Sequence, residues 1–452
     1  NELMQSNPYH TARTLLPACR AAPLSSQEKQ IAKTHFCLFP RFCRTGWAKR
    51  PAPDGPEPPP LPPPWKRAAA AAAAEPAPEA AAAPGRVRKR EEGYEYRVLR
   101  ESIRLDGFAE VQRQLRGLDH HGRSEGGARK LDFLRRFLTA IKANYVLHDP
   151  TSPELAAMEV DYRQAKREGG RIYATNLVLV KDPSHKIPKG VSAQTMSSVL
   201  RPFLFPHCRD IDQRASQISI IVAAMGSSAA ADPKVHLRWP DARAPPPVES
   251  LLRWLDDREG VVREVCEEMG IAEDYAGRQK EVVKQLLNRL LFGGTVRAWV
   301  RFTLGWTDPD AAAHVARWVQ LLETEMTGVV DGIFASSEWS AWCVKDLAYQ
   351  RRLKPHKTEV ELRRSTFALW AQKQESVVLD AMLAYCHIHG WTVESLIFDG
   401  MLVRDEPART LDLRAMEAHV RRETGYCMEI VEKDNFKPPD APWPAMALQK
   451  FR

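Results

Sequence analysis

The chain has 452 residues, of which 44% are hydrophobic and 27% charged, with a formal net charge of +8 at pH 7. That length suits two or three domains with a real core, and the mild basicity suits a polyanionic partner. No apolar run approaches the ~20 residues of a membrane span, and eight cysteines without a CxxC pair exclude the usual zinc spacings.

The scattered cysteines read as reduced thiols of an intracellular protein, with nucleus and organelle both open. A chain that begins with Asn1 reads as a fragment or a processed form. Residues 1–50 hold eight Lys or Arg against Glu2 and Glu28, which suits a transit peptide or an undirected disordered arm. Residues 51–64 are proline-rich and read as polyproline II. Alanine runs follow, and Arg86-Val87-Arg88-Lys89-Arg90 closes the arm as an import signal, a phosphate patch or a solvated cluster.

Residues 91–168 read as helical, with Leu131, Leu134, Leu138, Ile141 and Tyr145 on one face. Gly169-Gly170-Arg171 leads into a strand over Leu177–Val180. After Gln194, a helix through Leu200 and Arg201 is broken by Pro202. Asp210 and Asp212 lie two apart, so on a strand they share a face; read alone, Asp212 fits better as a helix N-cap ahead of the apolar run Ile218–Met225.

Amphipathic helices are predicted over Glu249–Leu255 and Glu259–Met269. A third, from Arg278 to Phe292, sorts Val283, Leu287 and Leu290 from Lys280, Lys284, Asn288 and Phe292, and Gly293-Gly294 stops it. Its polar stripe carries cations at one end and an aromatic at the other, the polarity of a nucleoside triphosphate; a solvated surface helix has the same pattern.

Helices are predicted over 308–327 and 333–350, then a basic loop, Arg351 to Lys357, suited to a phosphate backbone. Ser365 is expected to cap a long helix ending at Gly390. Next, Leu396-Ile397-Phe398 and Met401-Leu402-Val403 flank Asp399-Gly400, a hairpin signal in which both Asp and Gly take positive φ. Read by itself, Asp399 only shapes that turn. A helix near Leu411–Arg422 and a strand over Tyr426–Val431 close the chain.

The order of these parts resembles the palm and fingers of family A DNA polymerases, the DNA polymerase I type. The resemblance covers about residues 169–432. Asp212 matches the family's motif A metal ligand, with Asp210 as the alternative. Lys284, Phe292 and Gly293 have the motif B spacing, with Lys280 as a further phosphate contact. Phe398-Asp399-Gly400 stands where motif C has His-Asp-Glu, so its metal Asp is kept and its Glu is lost. Arg171 and Gln194 are similar to template- and primer-contacting elements, and Gln374 and Glu375 lie in the helix before motif C. Gln217 falls five residues past Asp212, where the family's Glu screens the sugar.

The resemblance implies an α+β right-hand polymerase fold with an antiparallel palm sheet, helical fingers and a disordered N-terminal arm. Its parts would be the arm over 1–90, a thumb-like helical module over 91–168, palm over 169–250, fingers over 251–329 and palm again over 330–452. No exonuclease domain fits before residue 169. The implied reaction is template-directed addition of dNTPs to a primer 3′ end in DNA replication. Two Mg²⁺ ions on Asp212 and Asp399 would serve both oxygens of the displacement. Lys280, Lys284, Phe292 and Gln217 would meet the nucleotide; Arg171, Gln194, Arg201 and Lys354 would meet primer-template DNA; no membrane is involved. The alternatives are a single-subunit RNA polymerase, which Gln217 keeps open, and a non-catalytic polymerase-like protein, which the lost motif C Glu favours.

Overall fold

The computed structural model describes residues 94–117, 125–149, 152–165, 171–175, 179–180, 189–196, 198, 200–226, 235–237, 245–271, 279–292, 294–306 and 315–433. The N-terminal arm and the Gly169-Gly170 and Gly293 motif positions lie outside the described residues.

In chain order, β1 (Tyr94–Arg104) is followed by α1 (Leu105–Gly117), α2 (Glu125–Asn144), β2 (Leu147–Asp149), β3 (Ser152–Ala165) and β4 (Tyr173–Thr175). The wholly helical reading of 91–168 is corrected here. The face of Leu134, Leu138, Ile141 and Tyr145 is real and buried, but β1 and β3 pair antiparallel over eleven positions, Tyr94↔Ala165 to Arg104↔Leu155. That ladder supplies hydrogen bonds between segments far apart in sequence, which a local helical pattern cannot register.

A short pair, β5 (Leu179–Val180) and β6 (Lys189–Gly190), precedes α3 (Arg201–Leu204), β7 (Cys208–Gln213) and α4 (Ser216–Ala224). Pro202 begins α3 instead of breaking a helix; at the first turn its missing N–H deprives no carbonyl. Next come α5 (Glu249–Asp256), α6 (Arg258–Glu268), α7 (Gln279–Leu291), α8 (Val296–Trp299), α9 (Arg317–Ala335), α10 (Ser340–Leu353) and α11 (Glu359–Ile388). The cap of α11 is Thr358, in a capping box with Glu361, and not Ser365, whose hydroxyl donates to the Glu361 carbonyl at 2.8 Å inside the helix. The hairpin β8 (Val393–Ile397) and β9 (Gly400–Arg404), then α12 (Leu413–Thr424) and β10 (Ile430–Glu432), complete the described chain.

Two four-stranded antiparallel sheets result. One has the order β1-β3-β2 with β4 on β3; the other has the order β10-β7-β9-β8. Among the described residues no helix is long and apolar enough to cross a membrane.

The sheets are tied together by two buried carboxylates. Glu101 of β1, fully buried, accepts hydrogen bonds from the Tyr145 hydroxyl at 2.9 Å, the Tyr162 hydroxyl, the Ser395 hydroxyl at 3.0 Å and the Ala193 amide at 2.8 Å. Glu394 of β8, also fully buried, accepts from the Ser102 amide and from Arg404, both at 2.7 Å. Burial raises the pKa of Glu101, and the hydroxyl and amide donors pull it part of the way back. Gln194 joins the same frame: it donates to the Ile172 and Leu396 carbonyls at 3.0 and 3.1 Å and accepts from the Ala174 amide at 2.8 Å. These bonds fix the root of the β8–β9 hairpin against the first sheet.

Removing Glu101 would strand several buried donors. Glu101→Ala is therefore expected to lower unfolding free energy by about 3–5 kcal/mol, since each buried donor left unsatisfied costs about 1–3 kcal/mol, and Glu101→Gln by clearly less. Urea unfolding followed by tryptophan fluorescence measures both.

Candidate active site

The structure places Asp212 and Asp399 within electrostatic reach of each other. β7 is an internal strand, pairing with β9 through Cys208↔Arg404 to Ile211↔Met401 and with β10 through Ile430↔Gln213 to Glu432↔Ile211. Period-two alternation puts Asp210 and Asp212 on one face, and continuation of the β7–β9 ladder brings Asp212 to Gly400. A Cβ at Gly400 would lie 2.5 Å from the Ile211 carbonyl oxygen and 2.9 Å from Asp212 Oδ1. Glycine is thus required there for close approach, not for a turn.

The turn itself differs from the expected Asp-Gly. Ile397 pairs with Gly400, so Phe398 and Asp399 are its two residues. Phe398 alone takes positive φ, at 57°, a left-handed conformation costing a residue with a Cβ roughly 1–2 kcal/mol. Strain of this kind is held at the tip by surrounding contacts, of which the Arg171 guanidinium, 5.4 Å over the Phe398 ring, is one. Nor is Asp212 a helix cap: the N-cap of α4 is Ala215, without a side-chain cap.

Arg171 is the hub. Its Nε lies 2.7 Å from Glu375 Oε2, with Glu375 only 1% exposed on α11. The same guanidinium sits 6.0 Å over Phe292, just past α7. Burial opposes the Arg171 charge, but Glu375 and then Asp399 outweigh it and raise its pKa. Lys433, directly after β10, places Nζ 2.8 Å from Asp212 Oδ2 and 3.6 Å from Asp210 Oδ1. Burial lowers the Lys433 pKa, yet Asp212 and Asp210 raise it on balance. Arg201 is half-buried, with Nε and Nη1 lacking hydrogen-bond partners; burial lowers its pKa against the pull of Asp210 and Asp212.

Desolvation in this cleft raises the Asp210 pKa against the pull of Lys433 and Arg201. It also pushes Asp399 up to about 7, with Asp212 and Glu375 adding repulsion and Arg171 opposing. Asp399 is thus poised between protonated and ionised near neutrality.

The other expected site residues fall outside this cluster or on its rim. Lys280 and Lys284 are exposed on α7, with Val283, Leu287 and Leu290 buried beneath them. Phe292 is half-buried against Arg171. Gln217 is 7% exposed, with Nε2 unpartnered. Gln194, 4% exposed, uses its amide within the protein and is not presented to a nucleic acid. Lys354 stands before the start of α11, whose first residue precedes Glu375 by roughly 24 Å of helix rise; the fold does not bring it to the carboxylates. Lys433 was missed. Alternation along β10 aims it at Asp210, but only once β10 is known to pair with β7.

A divalent ion suits this donor set. Asp210 Oδ1 and Asp212 Oδ1 are buried carboxylate oxygens without hydrogen-bond partners, and the Lys433 ammonium stands in as a cation beside them. Among the described residues no group of three or more His, Cys, Asp or Glu side chains is arranged to hold a metal ion.

No family model matches this sequence, and no curated protein matches it. Among solved structures, the chain is similar to the POL domain of Pol1 from M. smegmatis in complex with DNA primer-template and dNTP, with a TM-score of 0.37 and 10% identity over 69% of this chain and 53% of that one. The chain thus spans about half the length of that structure.

Because Asp399 has a folded-state pKa near 7, above its ordinary 3.8, the native state retains a proton there that the unfolded chain releases. Its contribution to stability is fully present below the ordinary value and is lost as pH rises toward 7. Asp399→Asn, in chelator, is therefore expected to raise Tm at pH 7.5 and to flatten its decline between pH 5 and 7.5. Calorimetry across that range measures both, and a lower Tm for the variant at pH 7.5 would contradict the crowding described here.

Proposed function

We propose that the chain is a template-directed DNA polymerase, adding deoxynucleotides to a primer 3′ end. Its palm would be the β10-β7-β9-β8 sheet and its fingers would include α7. The observation that most supports this reading is the meeting of Asp212, at the end of an internal strand, with Asp399, at a strained hairpin tip, beside the buried Arg171–Glu375 pair. Divalent metal ions bound there, two Mg²⁺ in this reading, would stabilise charge on the attacking and leaving oxygens.

Each residue then has a task. Asp212 and Asp399 would hold the ions, and Asp210 would keep Lys433 and Arg201 beside them. Lys280 and Lys284, exposed on α7, would neutralise the triphosphate, and Phe292 would offer a flat face to the incoming base. Arg171, clamped by Glu375 and both phenyl rings, would hold the primer terminus against the hairpin tip. Gln217 would border the sugar, and its amide both donates and accepts, so weakened discrimination against ribonucleotides is part of this reading.

Primer extension on primed DNA with Mg²⁺, using the full chain, tests it. Asp212→Ala and Asp399→Ala are each expected to reduce extension to background while duplex affinity stays within about two-fold, and Asp210→Ala to be milder. Wild-type rates in both of the first two variants would remove the polymerase reading.

One observation favours a second reading, a non-catalytic polymerase-like protein: the Lys433 ammonium lies 2.8 Å from Asp212, where a metal would bind. If Lys433 holds that place permanently, the wild type extends no primer and takes up no Mn²⁺, whereas Lys433→Ala gains Mn²⁺ binding by calorimetry. Extension by the wild type excludes this reading.

A further inference from the structure

The first sheet has two unlike faces. Toward the core it presents Glu101, Ile103, Val160 and Tyr162, all nearly fully buried. Alternation puts Tyr94, Tyr96, Val98 and Arg100 on the opposite face of β1. Register aligns Tyr96 of β1 with Arg163 of β3, and Arg163 with Tyr173 of β4. An aromatic, a guanidinium and a second aromatic thus form one row across three strands.

Exposure marks this face as a surface. Tyr173 is 40% and Val98 47% exposed, and Tyr94, Tyr96 and Arg163 are half-buried. The Tyr94 and Tyr96 rings lie 6.4 Å apart, and the Arg163 guanidinium covers Tyr94 at 4.8 Å. The row also runs into the carboxylate centre. Tyr173 lies two residues after Arg171, and Arg171 covers Phe398 beside Asp399.

We infer that this face is a stacking platform for single-stranded nucleic acid, in the polymerase reading the unpaired template strand next to the hairpin. Two features select that occupant. Flat aromatic rings interleaved with Arg100 and Arg163 serve both components of a single strand, bases by stacking and phosphates by charge. A sheet face bearing exposed aromatics holds unstacked bases in the same manner. Continuity with the catalytic hairpin supplies the direction, since a template must reach the site unpaired. A blunt duplex offers free base faces only at its two ends. The inference rests on the polymerase reading for the identity of the strand and for its direction, and on the aromatic and basic face for single-strand binding itself.

The test is fluorescence anisotropy with the full chain in chelator, where no catalysis takes place. The probes are a labelled 20-nucleotide single-stranded DNA, its RNA counterpart and a blunt DNA duplex. The paired substitution Tyr96→Ala with Tyr173→Ala is expected to weaken single-strand binding about ten-fold or more, the scale of base–aromatic stacking, and duplex binding less than two-fold. Phe at both positions should retain single-strand affinity. Should the paired Ala variant lose its near-UV circular dichroism, Tyr173→Ala alone, on the more exposed ring, is decisive, with an expected loss of at least five-fold. Unchanged single-strand affinity overturns the platform, as does equal loss for single strand and duplex. Tighter binding of the DNA probe supports a DNA template, and tighter binding of the RNA probe assigns the platform to RNA instead. Failure of primer extension alone would remove the polymerase reading and leave this result standing.

Discussion

Like charges crowded into a poorly solvated cleft repel, and the centre of this molecule is built under that constraint. Asp210, Asp212, Asp399 and Glu375 act on one another or on shared cations, and Arg171, Arg201 and Lys433 are set among them. Four carboxylates against three cations leave an excess of negative charge, which adds to the desolvation that chiefly raises the Asp399 pKa. Such an arrangement holds only if rigid elements oppose the repulsion. Asp210 and Asp212 ride on a strand paired on both sides, Glu375 on a thirty-residue helix, and Asp399 on a tip whose root is tied to the first sheet.

The tie at the root explains why the chain buries Glu101 and Glu394. Buried carboxylates are weak sources of net stability, but each here collects donors from more than one element. Glu101 draws on Tyr145 just past α2, on β3, on β8 and on the turn at Ala193, so the hairpin cannot shift without breaking several bonds at once. Gln194 completes the brace between the strand leading from Arg171 and the strand leading to Asp399. Rigidity at the base lets Phe398 persist in a strained conformation at the tip.

Much of this was legible in sequence wherever the signal is local. The apolar faces of α2 and α7, the extents of α5 and α6, and the shared face of Asp210 and Asp212 follow from periods of 3.6 and 2. What was not legible depends on pairing at a distance. The segment of β1, Tyr-Glu-Tyr-Arg-Val, becomes a strand because β3 lies beside it. Gly400 reads as a turn residue until β7 is seen to pass within 2.5 Å of the place its Cβ would take. Lys433 reads as a tail residue until β10 pairs with β7, and Gln194 reads as a nucleic-acid contact until its amide is seen to bridge two carbonyls.

In the polymerase reading, Asp212 and Asp399 form a single cation site open to a nucleotide. Manganese binding followed by electron paramagnetic resonance, with a non-hydrolysable deoxynucleoside triphosphate analogue added, tests it most directly. The account predicts Mn²⁺ uptake that the analogue strengthens and that either Asp212→Asn or Asp399→Asn removes. Uptake that neither substitution alters would contradict it.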